Sequence, residues 1–463
     1  MAYVTGGIVS HSLPCIPPSI KIIGFDWSSK FVVDTLSKLI RRPLNEFEGV
    51  SSFATFGHAL YEVRVSNDNQ GAYLNEVVER FFLDKWHPTI TGQDSLILVP
   101  GDLKEDFQKE MIRANIAYEV KCDNIKEQLD LEDQLMSAAA ARSNRSSPAL
   151  PYDVIHRYDV VNNYLQTVAN SYPNVQIATA GKSIQGRDIR YLRISSDNFQ
   201  SRNKPVVFLM SLLHAREWVT LPGTLYAIEK LVIDVQDRSL VDNIDWIIMP
   251  IANPDGYEFT HTNTRMWRKN RRQNSGWSFC PGVDLNRNFD HEWGTASSSS
   301  PCTETFHGTG PFSEPETAAI RNVLNGVRNR LELFIDLHSF GSMVLYGFGN
   351  RKLPPNALTL NMVGVRMAQR IDAVKWRENR NYRVGNIVDL LNYGASGGSS
   401  DYVQSLGNLL SYTYEMPAYR NLNTLNGFLV DPAFIYQAGM ETWEGIKAGA
   451  RYLIERRHAA MAR

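Results

Sequence analysis

The sequence predicts an α/β protein: a small α+β domain, then a larger domain with a mixed, mostly buried sheet and helices on both faces. Three observations support this prediction. The chain has 463 residues, enough for two domains of ordinary size. Its second half alternates helical periodicity with near-continuous apolar runs, which is typical of strands that helices cover on both sides. A small, polar, basic stretch at 137–150, SAAAARSNRSSPAL, indicates an exposed linker between the domains.

These observations divide the chain into four parts: an N-terminal extension at 1–55 that stays unassigned, a small domain at 56–136, a linker at 137–149 and a large domain at 150–463. In the small domain, periodicity predicts strand 60–66, helix 72–86, strand 95–99, a helix from an Asp102 cap to about 115, and strand 116–120. In the large domain it predicts helices at 152–171, 220–234, 313–330, 355–375 and 432–457, and strands at 206–213, 246–251, 333–337 and 409–414.

Composition and charge argue against several classes of function. Hydrophobic residues make up 43% of the chain and charged residues 21%, as in a soluble globular protein. The formal net charge of -1 gives no electrostatic basis for binding nucleic acid or an anionic membrane, and no apolar run is long enough to span a bilayer. The first residues, MAYVTGGIVSHSLPCIPPSIK, lack a basic n-region and contain early prolines, so they predict no clear signal peptide.

A candidate metal site follows two of the predicted strands. The run VVFLMSLLHAREW places His214 and Glu217 just after a buried strand, and ELFIDLHSF places His338 at the end of another. Two imidazoles and one carboxylate suit zinc and leave its fourth position open, as in catalytic sites. An HxxE pair by itself is weak evidence, since a surface His and a solvated Glu are the commoner explanation. Asp284, in GVDLNRNF, is a candidate acceptor for the second ring nitrogen of a ligating His.

Two further stretches contain forked donors. NTRMWRKNRR includes Arg265 and Arg268, and DLNRNF includes Asn286 and Arg287. Such arginines are usually solvated, yet Arg and Asn together fit a planar carboxylate, and the free C-terminus of a peptide is one such target.

The last apolar strand ends in a carboxylate. Glu415, in LLSYTYEMPAY, lies where a charge is costly unless it has a role, and a general base is one such role. Upstream, the Gly- and Ser-rich NYGASGGSSDY predicts a mobile loop whose large side chain, Tyr393, would be able to close over a bound substrate. The alternative is a linker with one exposed aromatic residue.

In combination these motifs resemble the zinc metallocarboxypeptidases of the pancreatic carboxypeptidase A and B type, in which an activation peptide domain precedes the catalytic domain. The motifs occur in the family's order: HAREW, RMWRKNR, VDLNRNFD, DLHSF, YGASGGSSD and YTYEM. The resemblance covers about residues 56–458 and leaves the N-terminal extension outside. It implies that the chain is the latent precursor of an exopeptidase that hydrolyses the C-terminal peptide bond of peptides and proteins.

The resemblance implies a role for each motif residue. One Zn²⁺ per chain would have His214, Glu217 and His338 as ligands, with Asp284 as the partner of the first His. Arg216 would contact substrate upstream of the cleaved bond.

The catalytic and anchoring roles follow in the same way. The resemblance makes Arg268 the residue that polarises the scissile carbonyl and Glu415 the general base and acid. Asn286 and Arg287 would hold the terminal carboxylate, and Tyr393 would cap it.

The cysteines allow one disulfide. Four are present, Cys15, Cys122, Cys280 and Cys302, which is too few for a disulfide scaffold, and none lies in a CxxC pair. Free, buried cysteine is the simplest interpretation of all four, although the loop region that Cys280 and Cys302 flank makes one disulfide plausible. The resemblance implies that these two are bonded.

The resemblance further implies a secreted monomer that a trypsin-like protease activates. The linker offers Arg142 and Arg145 to such a protease, so we expect a cut near 142–146. Asn144-Arg145-Ser146 is also an N-glycosylation acceptor, which matters only if the chain is secreted.

The side-chain pocket predicts which residue is released. By the resemblance, Ser400 lies at its floor, and its other lining residues are uncharged: Leu345, Gly349, Val388 and Thr413. A terminal Phe, Tyr or Leu gains from burial there, whereas a Lys or Arg head would lack a partner. The alternative is a preference for basic residues through Asp336, two residues before His338 on the same side of the strand. Asp336 is either that pocket residue or a partner in the metal site's outer shell.

Three other functions remain as alternatives. A zinc deacylase would use the same ligands on small acylated amino acids, but the propeptide-like half argues against it. An inactive peptide-binding homologue would be expected to lack a ligand or the base. A metalloendopeptidase would typically contain HExxH, which is absent from the sequence.

Overall fold

The computed structural model describes residues 57–142, 150–418 and 427–462 of the chain. Within these ranges a four-stranded and an eight-stranded sheet each pack against helices, which confirms the predicted α/β fold preceded by a small α+β domain. The extension at 1–55, Arg145 with the Asn144 acceptor, and Cys15 lie outside the described residues.

The small domain is an antiparallel sheet covered by two helices. Its strands have the order β2–β3–β1–β4, and its core includes Leu74 and Val77 from the first helix and Phe107 and Met111 from the second. The elements are β1 (Ala59–Arg64), α1 (Asp68–Arg80), β2 (Asp84–Lys85), β3 (Asp94–Val99), α2 (Lys104–Arg113), β4 (Ala117–Cys122) and α3 (Ile125–Arg142).

Two predictions for this domain are wrong in detail. The helix predicted at 72–86 begins earlier and ends at Arg80. Phe82 has a φ of 53°, in the left-handed region that a right-handed helix cannot contain, and the chain then forms β2. Asp102 does not cap α2, because it lies in a 3₁₀ turn and α2 begins after Leu103 without a side-chain cap.

The predicted linker is too long. Helix α3 runs to Arg142, so residues 137–142 are helical rather than an irregular connection. Four consecutive alanines explain the difference, because alanine has the highest intrinsic helix propensity of all residues. Arg142 is the exposed last residue of this helix.

The large domain contains every helix and strand that was predicted for it, with shifted ends. The first helix, for example, begins at Tyr158 rather than at 152. The elements are α4 (Tyr158–Ser171), β5 (Val175–Lys182), β6 (Asp188–Ile194), β7 (Val206–Met210), α5 (Thr220–Ile228), α6 (Ser239–Asp242), β8 (Asp245–Met249), α7 (Pro254–Thr262), α8 (Pro315–Val327), β9 (Leu331–Ser339), β10 (Met343–Tyr346), α9 (Ala357–Asp372), β11 (Arg383–Asn386), α10 (Ile387–Leu391), α11 (Ser399–Ser405), β12 (Leu410–Met416) and α12 (Pro432–Met461).

The large sheet is mixed and buried on both faces. Its order is β11–β10–β12–β9–β7–β8–β6–β5, and the central strands β12, β9, β7 and β8 are parallel. Val207 and Leu209 of β7 pack in the cluster formed with α4, α5, α9 and α12, whereas Phe208 and Met210 pack in the cluster with α8 and α11. This alternation explains why β7 is an unbroken apolar run in the sequence.

The topology brings the predicted site residues to one edge. In neighbouring parallel strands the carboxyl ends lie at the same edge of the sheet, where α/β proteins bind ligands. Strands β7, β9 and β12 are neighbours, and they are followed by, or end with, the segments that contain His214, His338 and Glu415. Among the described residues, no helix is long and apolar enough to cross a membrane.

Candidate active site

Three buried side chains form a cluster that we call the metal cluster: His214, Glu217 and His338. Their ligand atoms all lie within 4.8 Å of one another. Glu217 Oε1 is 2.8 Å from His214 Nδ1, and Oε2 is 3.0 Å from His338 Nδ1. The two histidines meet through their Nδ1 atoms at 3.1 Å. The structure therefore brings together the three ligands that the sequence predicted.

The outer nitrogens of both histidines face carboxylates. His214 Nε2 lies 3.0 Å from Asp284 Oδ1, and His338 Nε2 lies 2.8 Å from Asp336 Oδ2. Carboxylates thus face both nitrogens of each ring, because Glu217 lies at each Nδ1. A cation held between the two Nδ1 atoms would bind their lone pairs and leave each ring proton on Nε2, where Asp284 or Asp336 accepts it. The donor set and its surroundings thus fit Zn²⁺.

The buried carboxylates Glu217 and Asp284 are stabilised in their ionised form by neighbouring basic side chains. Burial alone would raise the pKa of Glu217, but His214 and His338 outweigh it and hold that pKa well below its usual value. Burial acts in the same direction on Asp284, where Arg268 and His214 prevail and lower the pKa. Both carboxylates are therefore ionised at neutral pH, and they supply negative charge close to the metal cluster.

Arg268 and Glu415 are far apart in the sequence, but both lie close to the metal cluster. Arg268 Nη2 donates to Asp284 Oδ2 at 2.9 Å, while its Nη1 lies 3.8 Å from Glu217 Oε1. Glu415 pairs with His338 in the register of β12 and β9. Burial raises the pKa of Glu415 to about 7, which His338 and Arg268 oppose and Glu217 reinforces. A carboxylate with this pKa can both accept and return a proton near neutral pH.

Asn286 and Arg287 lie beside the metal cluster in a 3₁₀ turn that Asp284 begins, with its Oδ1 accepting the Asn286 N–H at 3.0 Å. Asn286 Nδ2 is 3.4 Å from His338 Nε2, and its Oδ1 accepts the backbone N–H of Ser399 at 2.8 Å. Arg287 Nη1 donates to the Asn286 carbonyl at 2.8 Å.

The structure brings Ser400, Thr413 and Leu345 of the predicted pocket together near the start of α11. Ser400 and Thr413 share a hydrogen bond of 2.8 Å between their hydroxyls, and Leu345 pairs with Thr413 across β10 and β12. Leu345, Gly349 and Val388 are buried and uncharged. Asp336, the alternative pocket carboxylate, is fully buried and is hydrogen-bonded to the hydroxyl of Ser399 as well as to His338.

The small domain occupies the approach to this site. Asp84 of β2 forms two hydrogen bonds with the guanidinium of Arg216, at 2.5 and 3.0 Å. Next to it, Lys85 Nζ lies 5.6 Å from the ring centroid of Tyr393, and Trp86 packs edge-on against Phe428 at 5.2 Å. Residues proposed to hold substrate are thus in contact with the small domain.

A second ion pair, between Glu132 and Arg265, joins the two domains. Glu132 of α3 accepts hydrogen bonds from Arg265 Nε at 2.7 Å and Nη2 at 3.1 Å, and from the Val430 N–H at 2.7 Å. Both side chains are buried, with exposed fractions of 8% for Arg265 and 2% for Glu132. The sequence offered no partner for Arg265, because Glu132 is 133 residues away along the chain.

Cys280 and Cys302 form a disulfide bond. This confirms the disulfide that the resemblance implied for this pair, rather than two free cysteines. Cys122, on β4, is free and half-buried.

Comparison with known proteins agrees with this geometry. The sequence profile described as zinc carboxypeptidase matches residues 161–445, and the profile described as carboxypeptidase activation peptide matches residues 61–132. The chain belongs to the zinc carboxypeptidase family. With its activation peptide still attached it is a latent exopeptidase, and the metal cluster lies inside the matched catalytic region.

Individual relatives of this carboxypeptidase include both A and B types. It is 39% identical to carboxypeptidase B of Helicoverpa zea over 86% of this chain and 94% of the relative. It is 30% identical to carboxypeptidase A1 of Mus musculus over 84% of this chain and 91% of the relative. The crystal structure of carboxypeptidase A from Helicoverpa armigera is similar at 54% identity and a TM-score of 0.84, over 86% of this chain and 98% of that one. The preferred terminal residue must therefore be argued from the pocket.

Sequence reasoning missed the contacts that the small domain makes. Asp84 and Lys85 fell inside a predicted helix, so nothing indicated that they form a strand in front of the groove. The Asp336–Ser399 hydrogen bond was likewise missed, although one signal existed: a carboxylate two residues from a ligating His points to the same side of a strand.

Proposed function

We propose that this carboxypeptidase releases apolar and aromatic C-terminal residues, with one zinc ion at the metal cluster and with Glu415 and Arg268 at the reacting bond. One observation supports the assignment above all others. Donors suited to a free carboxylate lie beside the metal cluster, since Asn286 Nδ2 is 3.4 Å from His338 Nε2. A peptide anchored there by its terminal carboxylate has its last peptide bond next to the metal cluster.

The proposed chemistry follows from the positions of these side chains. When bound, zinc supplies a Lewis acid that polarises the scissile carbonyl and acidifies the attacking water. Glu415 accepts the proton of that water and returns it to the leaving amine. Arg268 is oriented by Asp284 and donates to the oxygen on which negative charge develops.

Anchoring of the substrate uses the next residues along the chain. Asn286 and Arg287 bind the terminal carboxylate with forked donors, and Tyr393 closes over it once the small domain has left. Only the terminal bond then reaches Glu415, which explains why the enzyme is an exopeptidase. Arg216 becomes available to substrate upstream of the bond once Asp84 is removed.

The pocket supports an apolar preference. The Ser400 hydroxyl is neutral and already hydrogen-bonded to Thr413, and Asp336 is committed to His338 and Ser399. A further buried carboxylate, Asp401, follows Ser400 directly in α11. It accepts the N–H of Gly349 at 2.6 Å, and burial raises its pKa to about 6. An environment that disfavours ionisation of Asp401 equally disfavours a Lys or Arg head without a strong partner.

Paired peptides that differ only in a terminal Phe or Arg test this preference. We expect kcat/KM to favour Phe for the trimmed enzyme, and we expect amidation of either C-terminus to abolish release. A Ser400→Asp variant is the matched control, because it adds a countercharge at the proposed floor and should move the preference towards Arg. A higher kcat/KM for Arg in the unmodified enzyme would contradict the proposal and make Asp401 the next residue to substitute.

Activation is proposed to follow a single cut after the small domain. Helix α3 ends at the exposed Arg142, so a trypsin-like protease has access to a basic residue directly before residues 143–149. We propose that residues 56–142 constitute the propeptide domain, that a cut near 142–146 releases it, and that the chain is a secreted monomer that acts on peptide and protein C-termini.

Limited proteolysis tests this step. Treatment with trypsin should yield a new N-terminus within 143–147 and should raise kcat/KM in parallel with the cleaved fraction. Replacement of Arg142 and Arg145 by Gln should suppress both changes. Equal activity of the intact and trimmed chains would refute the proposed route.

A further inference from the structure

The two histidines of the metal cluster have matching surroundings. Each turns Nδ1 inwards and Nε2 towards a buried carboxylate, Asp284 for His214 and Asp336 for His338. Both carboxylates are fully buried. Because a ligating His depends on such a partner for its tautomer, its orientation and its basicity, Asp336 has the position of a partner residue rather than of a pocket wall.

Asp336 is also bonded to the substrate side of the site. The oxygen that contacts His338, Oδ2, accepts the hydroxyl of Ser399 at 2.5 Å. Its other oxygen, Oδ1, is buried and accepts no hydrogen bond from the residues that the structure describes. A buried acceptor without a partner is unfavourable, so what keeps this carboxylate in place is the pair of contacts at Oδ2.

Ser399 connects Asp336 to the groups that are proposed to bind substrate. It is the first residue of α11, the helix that contains Ser400 and Asp401. Its backbone N–H donates to Asn286 Oδ1 at 2.8 Å, and Asn286 Nδ2 lies 3.4 Å from His338 Nε2. Asp336 and Ser399 therefore connect His338 to Asn286, that is, the metal cluster to the carboxylate anchor.

We propose that Asp336 is a positioning residue that joins the metal ligand His338 to the substrate pocket through the Ser399 hydroxyl. It holds His338 in the Nε2–H tautomer with Nδ1 directed at the metal, and it fixes the start of α11 and hence Ser400 at the pocket floor. The inference rests on the proposed function, because it assumes that the metal cluster holds zinc and that Asn286 binds the terminal carboxylate. It assigns Asp336 a role other than binding a basic side chain.

Three variants of the full chain, each trimmed after expression, separate the two halves of this role. Asp336→Asn keeps the shape but weakens the acceptor, so the zinc dissociation constant, measured by competition with a chromogenic chelator, should rise by roughly 10- to 100-fold. At saturating zinc its KM for a Phe-terminated peptide should also rise several-fold. Ser399→Ala removes only the pocket contact, so KM should rise while zinc affinity stays within about threefold.

Glu441→Gln is the matched control. Glu441 is a buried carboxylate on α12 whose hydrogen-bond partner is Gln437 of the same helix. The zinc affinity and the KM of the Glu441→Gln enzyme should therefore equal those of the unmodified enzyme. Thermal melting of the metal-free proteins shows whether a loss of zinc affinity is caused only by a loss of folding stability. If Asp336→Asn is too unstable to assay, the KM of Ser399→Ala still decides the inference.

Two results would overturn the inference. One is an Asp336→Asn protein with zinc affinity and KM like those of the unmodified enzyme, or with a loss confined to Arg-terminated peptides. The other is a Ser399→Ala protein whose KM is unchanged. Zinc binding and turnover by the unmodified enzyme are measured in the same series, so failure of the proposed function would be visible there and is distinct from failure of the coupling.

Discussion

The ion pair between Glu132 and Arg265 offers a quantitative test of how the small domain keeps the enzyme latent. We expect Glu132→Gln to weaken docking of this domain on the groove. The pair is almost fully buried, and the Glu132 carboxylate accepts three hydrogen bonds from the large domain. Removing one partner of a buried pair typically costs about 3–5 kcal/mol, since the other charge stays buried. Glutamine keeps one acceptor oxygen, which places the expected loss near ~3 kcal/mol.

That free energy corresponds to about a 100-fold rise in the undocked fraction, since ~1.4 kcal/mol is a factor of ten in an equilibrium constant. The assay is kcat/KM of the intact precursor, with Arg142 and Arg145 replaced by Gln so that no cut occurs. The Glu132→Gln precursor should show about 100 times the residual activity of the precursor that retains Glu132.

Two controls accompany this measurement. Asp123→Asn removes a carboxylate from an ion pair with Lys104 within the small domain, where Asp123 is 81% exposed. Exposed pairs contribute about 0–1 kcal/mol, so residual activity should not change. In a parallel pair of proteins that retain Arg142 and Arg145, trimming removes Glu132 from the enzyme, and the two trimmed proteins must have the same kcat/KM. If Glu132→Gln leaves residual activity at the level of Asp123→Asn, this ion pair does not maintain latency.

Three further outcomes are expected. His338→Ala should lose bound zinc and activity together, and equal zinc content by elemental analysis would contradict the assigned ligand. Glu415→Gln should retain zinc and ground-state binding but lose most of kcat, so near-normal turnover would exclude it as the base. Burial raises the pKa of Glu316 from 4.5 to about 7, so the folded chain keeps a proton that the unfolded chain releases, and stability should fall by up to about 3 kcal/mol as pH rises from about 5 to 7. Chemical denaturation of Glu316→Gln across that range should show this slope reduced, and an unchanged slope would assign it to other groups.

The sequence predicted the large domain well because its signals are local. The apolar runs that became β7, β9 and β12 are typical of strands buried on both faces, and the candidate ligands and base follow or end these strands. The structure then places the three strands side by side and parallel, so these residues meet at one edge. The metal cluster followed from that edge together with the chemistry of its side chains. Ends of helices were less predictable, because caps and turns depend on a few backbone angles such as the positive φ of Phe82.

Contacts between segments that are far apart in the chain could not be predicted from the sequence. Nothing in the spacing of Glu132 and Arg265, or of Asp336 and Ser399, indicates that they meet, because neither pair shares a helix face or a strand register. The alanine run before Arg142 led to a wrong prediction. Its small residues suggested an irregular linker, whereas the high helix propensity of alanine extends α3 to Arg142. Composition thus predicted a boundary but not the structure on either side of it.

The contacts between the small and the large domain must be strong enough to keep the precursor latent, yet weak enough to release the small domain after the cut. A cut near 142–146 breaks none of the hydrogen bonds of Asp84 or Glu132, so release must come from loss of the tether. A short tether gives an effective concentration of about 1 mM. Docking with a dissociation constant of ~1 µM would then leave about 0.1% of the tethered precursor open, yet a cut propeptide would dissociate from enzyme at nanomolar concentration. Two ion pairs and an aromatic contact at Trp86 suit such intermediate affinity, because tighter docking would keep the enzyme inhibited after the cut.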